Sequence, residues 1–383
     1  MTGKERLQFT LNHREPDKIP FDLNGTETSG ISIIALKNWL GFSGLKNDDL
    51  KSFSLVTQLG LVEEEVLQRF HVHTRCLRTS PPSSYKIEIH EDNKHKYFYD
   101  EWGIKWQMPL KGGHYFDIGS SPLAGVNSIK EIENYPWPDP YDPSRYEYLR
   151  KEALNLESVS QAGIVLERHT GGIFETSWWM RGFENFLMDL AADPKLANAI
   201  MEKVLEHKMV YWEKALEETK DYILVAAEAD DIASQNGLII SIDMYRNLLK
   251  PLHKKLFSFI KAKAPELKIF FHSCGAVLEL IPDLIEIGVD ILNPIQVSAS
   301  GMDTRKLKKE FGRDLVFWGG GVDTQRVLPK GTPQQVKNEV RRRIDDLAPG
   351  GGFVFAAVHC IQSDVPPENI QAMWEALQAY GKY

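Results

Sequence analysis

Short apolar runs alternate with long amphipathic stretches along most of this chain. The runs at 19–23, 71–77, 163–168, 222–228, 267–272, 290–294, 315–318 and 352–358 are rich in Val, Ile and Phe. Short runs of this kind suit parallel strands covered on both faces. Between them, helical spacing of apolar positions predicts helices over 241–263, 277–287, 303–311, 333–347 and 366–380. Ser241 stands where an N-cap belongs, and Gly288, Gly312 and Gly381 stand where helices stop. Eight strands separated by helices predict an α/β fold, a (β/α)8 TIM barrel. A doubly wound sheet is the competitor, but no strand runs into a G-x-G-x-x-G turn. Gly319-Gly320-Gly321 lacks that spacing.

The N-terminal half is less regular. Runs at 86–90, 96–100 and 103–108 read as antiparallel strands, a small β insert near residues 84–140 of a single domain spanning 1–383. The proline-rich stretch from Pro136 to Pro143 reads as a rigid surface connector.

Composition narrows the function classes. With 43% apolar and 26% charged residues, the chain is an ordinary globular one. A net charge of -8 and the absence of a basic block argue against nucleic-acid binding. No segment approaches the roughly 18 apolar residues of a membrane span, and no apolar leader opens the chain, so a cytoplasmic protein is expected. Three cysteines in 383 residues make no disulfide framework; their chemistry would be metal binding or nucleophilic attack.

The strongest chemical signal is Phe270-Phe271-His272-Ser273-Cys274-Gly275. An apolar strand ends in two metal-capable side chains at i and i+2, which an extended chain points to one side. Imidazole and thiolate are both good zinc ligands. His359-Cys360 closes the last expected strand, so a second such pair reaches the same rim. Adjacent strand residues point oppositely, so one of His359 and Cys360 reaches the centre. Three protein ligands and an open position describe a catalytic zinc site. Cys76 lies inside a strand and reads as packing. Glu228, Asp230 and Asp231 follow another strand and are the candidate acids or bases. Glu167, Arg168 and Gln296 end further strands and are candidate substrate contacts, with Asp22, Asn24, His169 and Asp323 similarly placed. Trp178, Trp179 and Met180 follow the Gly171-Gly172 turn and could wall a pocket for a flat apolar ligand, or simply pack a helix.

Over nearly its whole length the chain resembles the uroporphyrinogen decarboxylase superfamily. The resemblance rests on Arg14-Glu15-Pro16-Asp17-Lys18-Ile19-Pro20, the stretch from Asp230 to Gly237, Tyr245 with Pro251, and Phe271 to Gly275. Ile281 to Asp290, Trp318 to Asp323 and Pro366-Pro367-Glu368-Asn369 extend it. True decarboxylases of this superfamily carry an early Arg-Gln-Ala-Gly-Arg stretch that grips propionates. Here Leu23 to Thr28 holds no arginine, which argues against tetrapyrrole decarboxylation. The other branch, zinc methyltransferases that work with corrinoid proteins, carries His-x-Cys and a distant C-terminal cysteine. His272 and Cys274 match the first part. The distant cysteine falls on His359 with Cys360 one residue later, and Cys360 is the preferred third ligand.

The resemblance is closer still to bacterial members found in corrinoid-dependent demethylation systems, some of them similar to O-demethylase-type methyltransferases acting on aryl methyl ethers. It implies a zinc-dependent methyltransferase moving a methyl group between a small substrate, favoured as an aryl methyl ether, and a separate corrinoid protein. No Asp-x-His-x-x-Gly corrinoid motif occurs in the chain, so the corrinoid would come from that partner. The alternatives are a metal-free decarboxylase of a smaller acid, a non-catalytic ligand-binding barrel and a methyl-corrinoid:tetrahydrofolate enzyme. The methyl donor, the direction of transfer and the oligomeric state stay open, a homodimer being one option.

Overall fold

In the computed structural model, which describes residues 1–46 and 48–383, the apolar runs assemble into one curled parallel sheet. Its strands are β1 (Thr74–Leu77), β2 (Gly163–Leu166), β3 (Val225–Ala229), β4 (Lys268–His272), β5 (Ile291–Asn293), β6 (Val316–Trp318) and β7 (Phe353–Val354). Each is hydrogen-bonded to its neighbours in this series, and β1 and β7 are the edges.

The closed eight-stranded barrel expected from the sequence is not formed; the sheet is an open half-barrel of seven strands. The run at 19–23 contributes only an isolated parallel bridge, Phe21 with Phe355. The physical reason lies partly in this run and partly in His73, which packs beside it. Pro20 has no N–H to give a ladder. The next N–H, that of Phe21, donates to the ring Nδ1 of His73 at 2.8 Å instead of to a strand carbonyl.

Side-chain alternation gives the sheet two different faces. Val165, Val225, Ala227, Phe270, Ile291, Val316, Trp318 and Val354 pack into one concave cluster. Leu7 and Leu11 of the helix Gly3–Leu11 complete it from below. Thr2 and Glu5 fasten that helix by a reciprocal capping box. Ala226, Ile269, Phe271, Leu292 and Phe317 point the other way, into the larger core under the helices. The register aligns Phe270 with Ile291 and His272 with Asn293, so concave residues form layers across strands.

Ser241 caps the helical stretch that follows it, accepting from the Met244 N–H at 3.1 Å. The helices Thr304–Phe311, Pro333–Leu347 and Pro367–Tyr380 lie where helical spacing places them. The expected helix at 277–287 is divided into a 3-10 turn, Leu278–Leu280, and a short helix, Ile281–Glu286. A separate antiparallel sheet joins His90–Glu91, His95–Tyr99, Lys105–Pro109 and Asp117–Ser120. Pairing begins at His90, not at 86, and the fourth strand carries no clear alternation. Among the described residues no helix is long and apolar enough to cross a membrane.

Candidate metal centre

Strand β4 ends in His272 on the concave face, two residues beyond Phe270. The chain then turns through Ser273 and Cys274 to Gly275, whose φ of +96° is a left-handed conformation. A side chain there would press a Cβ to 2.5 Å from the Ser234 carbonyl oxygen, so glycine permits the close turn. The Gly275 N–H donates to Gln296 Oε1 at 2.7 Å, and the Cys274 N–H donates to Asp231 Oδ1 at 2.7 Å. These two bonds hold Cys274 Sγ 3.4 Å from His272 Nε2.

His359 arrives from beyond β7. Its ring centroid lies 5.3 Å from that of His272, the planes inclined by 65°. One potential ligand atom from each of His272, Cys274 and His359 lies within 4.8 Å of the others. This cluster could coordinate a metal, and the donor set, two imidazoles and a thiol, suits zinc with a further position open. Burial drives the His272 imidazole down to about 3. Burial, with His272 beside it, drives His359 down to about 4. Both rings are therefore neutral, as metal ligation requires. Burial, reinforced by Asp231 and Glu175, pushes the Cys274 thiol well above its ordinary value. A cation would have to displace its proton.

Cys360, the preferred third ligand from the sequence, is turned aside. Its Sγ donates to the Glu27 carbonyl at 3.1 Å, and it packs with Phe53 and Leu59. His359 is the member of the pair that joins His272 and Cys274. The three carboxylates expected at one strand end also separate. Glu228 alternates with Ala227 and Ala229, so it faces the helices. There it accepts from Lys208 Nζ at 2.8 Å and Trp212 Nε1 at 2.6 Å in a buried ion pair. Asp230 accepts from the backbone N–H groups of Phe174 and Glu175, both at 2.8 Å, and from His253 Nε2 at 2.9 Å. It anchors the N-terminus of the helix Ile173–Arg181. Only Asp231 turns to the cluster, its Oδ1 3.6 Å from His272 Nε2. Burial raises its pKa.

Glu167 accepts from the Glu27 N–H at 2.6 Å and from Arg168 Nη1 at 2.7 Å. The Nε of Arg168 is buried and has no hydrogen-bond partner. Met180 is fully buried in the apolar cluster with Trp102, Trp106 and Ile200. Trp179 sits edge-on to Trp106 at 5.4 Å, and Trp178 packs similarly on Phe183 at 5.3 Å. This aromatic segment joins the small sheet to the main body. Asp22 holds Trp318 Nε1 and Thr74, Asn24 accepts from the Val62 N–H, and Asp323 accepts from loop N–H groups at 325 and 326. His169 lies against Tyr211 and near Arg145. Cys76, in β1, packs beside the Phe53 cluster.

Three participants were not singled out by sequence reasoning. Asn293 accepts from His272 Nδ1 at 2.6 Å. Glu27 takes hydroxyl hydrogen bonds from Ser54 and Thr57 beside the Arg168 charge. Glu175 is raised to about 8 by burial, then by Asp231 and Asp230. The visible sign for Asn293 was its place at the end of β5, one strand from His272. Glu175 showed none, because the flanking tryptophans dominate its segment.

Residues 117–380 match the sequence profile of uroporphyrinogen decarboxylase (URO-D). The uroporphyrinogen decarboxylase of Chlorobium limicola is 28% identical over 188 residues, 48% of this chain and 49% of its own length. That of Pseudoalteromonas atlantica is 22% identical over 280 residues, covering 70% and 74%. A methylated-thiol–coenzyme M methyltransferase of Methanosarcina mazei is 26% identical over 199 residues, covering 52% and 49%. The chain thus spans less than half the length of the Chlorobium and Methanosarcina relatives. A solved methyltransferase from Methanosarcina mazei shares the fold across 99% of both chains, with a TM-score of 0.65 and 19% identity. With well over half of its length matched by that profile, the chain belongs to the uroporphyrinogen decarboxylase (URO-D) family.

Proposed function

We propose that this protein is a zinc-dependent methyltransferase that moves a methyl group between a small neutral substrate, favoured as an aryl methyl ether, and a separate corrinoid protein. One observation carries the reading: His272, Cys274 and His359 converge at the strand-end rim, where His272 Nε2 faces Cys274 Sγ and Asp231 while its Nδ1 is held by Asn293. The likeness to a methylated-thiol–coenzyme M methyltransferase and the fold shared with a methyltransferase support the transfer class.

In the forward direction the O–CH3 bond breaks. The methyl group passes to the reduced corrinoid cobalt, and the electron pair stays on the ether oxygen, which takes a proton. Zinc, when bound, supplies a Lewis acid that stabilises negative charge on that oxygen. His272, Cys274 and His359 would hold the ion. Glu175, raised to about 8, accepts from the Gly172 N–H at 3.2 Å through Oε2, and its other carboxyl oxygen is the proposed proton donor to the departing oxygen. Asp231 orients Cys274 through its backbone N–H. Arg168, with its buried Nε unpartnered, offers a donor to a second substrate oxygen. Glu27 and Glu167 flank the Arg168 guanidinium and offset its charge, so the region gives an anionic substrate little net attraction.

The test uses zinc-loaded protein, methoxylated aromatics and cob(I)alamin as the methyl acceptor. Formation of the phenol with loss of the Co(I) absorbance is expected. Turnover of methanol or methylamines with no aryl ether accepted would overturn the substrate class. The uroporphyrinogen decarboxylases among the relatives favour a second reading, decarboxylation of an acid at the same rim. Enzymatic formation of coproporphyrinogen from uroporphyrinogen would establish it in place of the first.

A further inference from the structure

We infer that Asn293 is a positioning residue that fixes the tautomer of His272, so that the ring presents the Nε2 lone pair to the metal before any metal arrives. The inference rests on the zinc reading above for its purpose, but its structural content stands in the protein alone.

A neutral imidazole carries one proton, on Nδ1 or on Nε2, and only the nitrogen without it can ligate. The partner of the other nitrogen decides which. His272 Nδ1 faces Asn293 Oδ1 at 2.6 Å. An amide can be turned over, so the identity of the facing atom has to come from the network. The other end of the Asn293 amide lies 2.8 Å from the backbone carbonyl oxygen of Trp318. A carbonyl only accepts, so that end must be the NH2 group. Thr28 Oγ1 adds a third contact, donating to Asn293 Oδ1 at 3.2 Å. Reversing the amide would set oxygen against the Trp318 oxygen and leave a buried clash. Asn293 Oδ1 therefore faces His272, and the His272 proton sits on Nδ1.

The fold builds this arrangement by register. His272 ends β4, Asn293 ends β5 and Trp318 ends β6, and β4 pairs His272 with Asn293 directly. All three belong to one concave layer. Asn293 and His272 are both almost completely buried, so water is a poor substitute for either partner.

The experiment measures the tautomer and the metal affinity separately. Protein labelled with 15N-histidine is studied metal-free by NMR, with His272→Gln assigning the resonance. Zinc affinity is then measured by competition with a chelator. In the wild type the His272 proton is expected on Nδ1. Asn293→Leu should release that preference and weaken zinc binding by about 10–100-fold. Asn293→Asp keeps the acceptor, so it should restore the Nδ1 proton and recover much of the affinity, although its second oxygen now faces the Trp318 carbonyl. Both variants lose the bond to the Trp318 carbonyl, so a purely structural role would weaken zinc binding equally in the two. That equality would overturn the inference. So would an Nε2 proton in the wild type, or an unchanged tautomer in Asn293→Leu. If the wild type bound no zinc, the functional reading would fall while the NMR measurement would still judge Asn293.

Discussion

The concave rim of the sheet and the layer just behind it are built from the same residue types, yet they hold them for opposite ends. On the rim, His272, Cys274, His359 and Asp231 converge with ligand atoms open to one another. Behind it, Glu228 is spent on Lys208 and Trp212, Asp230 on a helix N-terminus, Cys360 on a backbone carbonyl and Met180 on an aromatic cluster. At two places, Asp230–Asp231 and His359–Cys360, a step of one residue beyond a strand end separates the two roles. The lesson is that a chemical group at a strand end is a candidate only once its face is known. Rim substitutions should therefore change metal content and rate with little loss of stability. Substitutions behind the rim should do the reverse.

The largest effect is expected from the ligands. His272→Ala, Cys274→Ala and His359→Ala should each abolish stoichiometric zinc in elemental analysis, whereas Cys360→Ser, which keeps a donor for the Glu27 carbonyl, should retain it. Zinc loss in Cys360→Ser with retention in His359→Ala would break the contrast at its sharpest point.

Next comes the proposed acid. Glu175→Gln should lower kcat by about 10²–10⁴-fold with zinc content unchanged. The sign of the pH dependence follows from the raised pKa. The protonated form is present below about 8 and is lost as pH rises through it, so kcat should fall on the alkaline side. A pH–rate profile in which Glu175→Gln keeps the alkaline fall would assign that limb to another group.

Behind the rim, Glu228→Gln leaves Lys208 buried without a counter-charge. A loss of about 3–5 kcal/mol in denaturant unfolding is expected, with zinc retained. Unaltered stability together with a collapsed rate would move Glu228 to the rim side of the comparison. Met180→Ala should cost about 2–5 kcal/mol through the cavity it leaves. KM for an aryl ether should barely change. A raised KM at constant melting temperature would instead restore Met180 to the substrate pocket.

Much of this was legible in the chain. Seven of the eight expected parallel strands exist, because apolar runs covered on both faces leave a strong local imprint. The i, i+2 spacing of His272 and Cys274 led to placing them together, and they do meet, but Cys274 lies in the turn after β4 and is brought to His272 by the hydrogen bonds of that turn and not by strand alternation. The eighth strand failed for a reason that needs its neighbour: the His73 ring takes the N–H of Phe21, 52 residues away in sequence.

What the sequence by itself determined was therefore the strand series, the family, and the His272–Cys274 half of the site. The tertiary structure alone decided which of His359 and Cys360 turns inward, which of Glu228, Asp230 and Asp231 faces the cluster, and that Asn293 orients His272. The physical reason is that these choices depend on inter-strand register and on which partner has already claimed a polar group. Lys208, the Phe174 N–H and the Glu27 carbonyl each remove one candidate from the rim, and none of them lies within 15 residues of the group it engages.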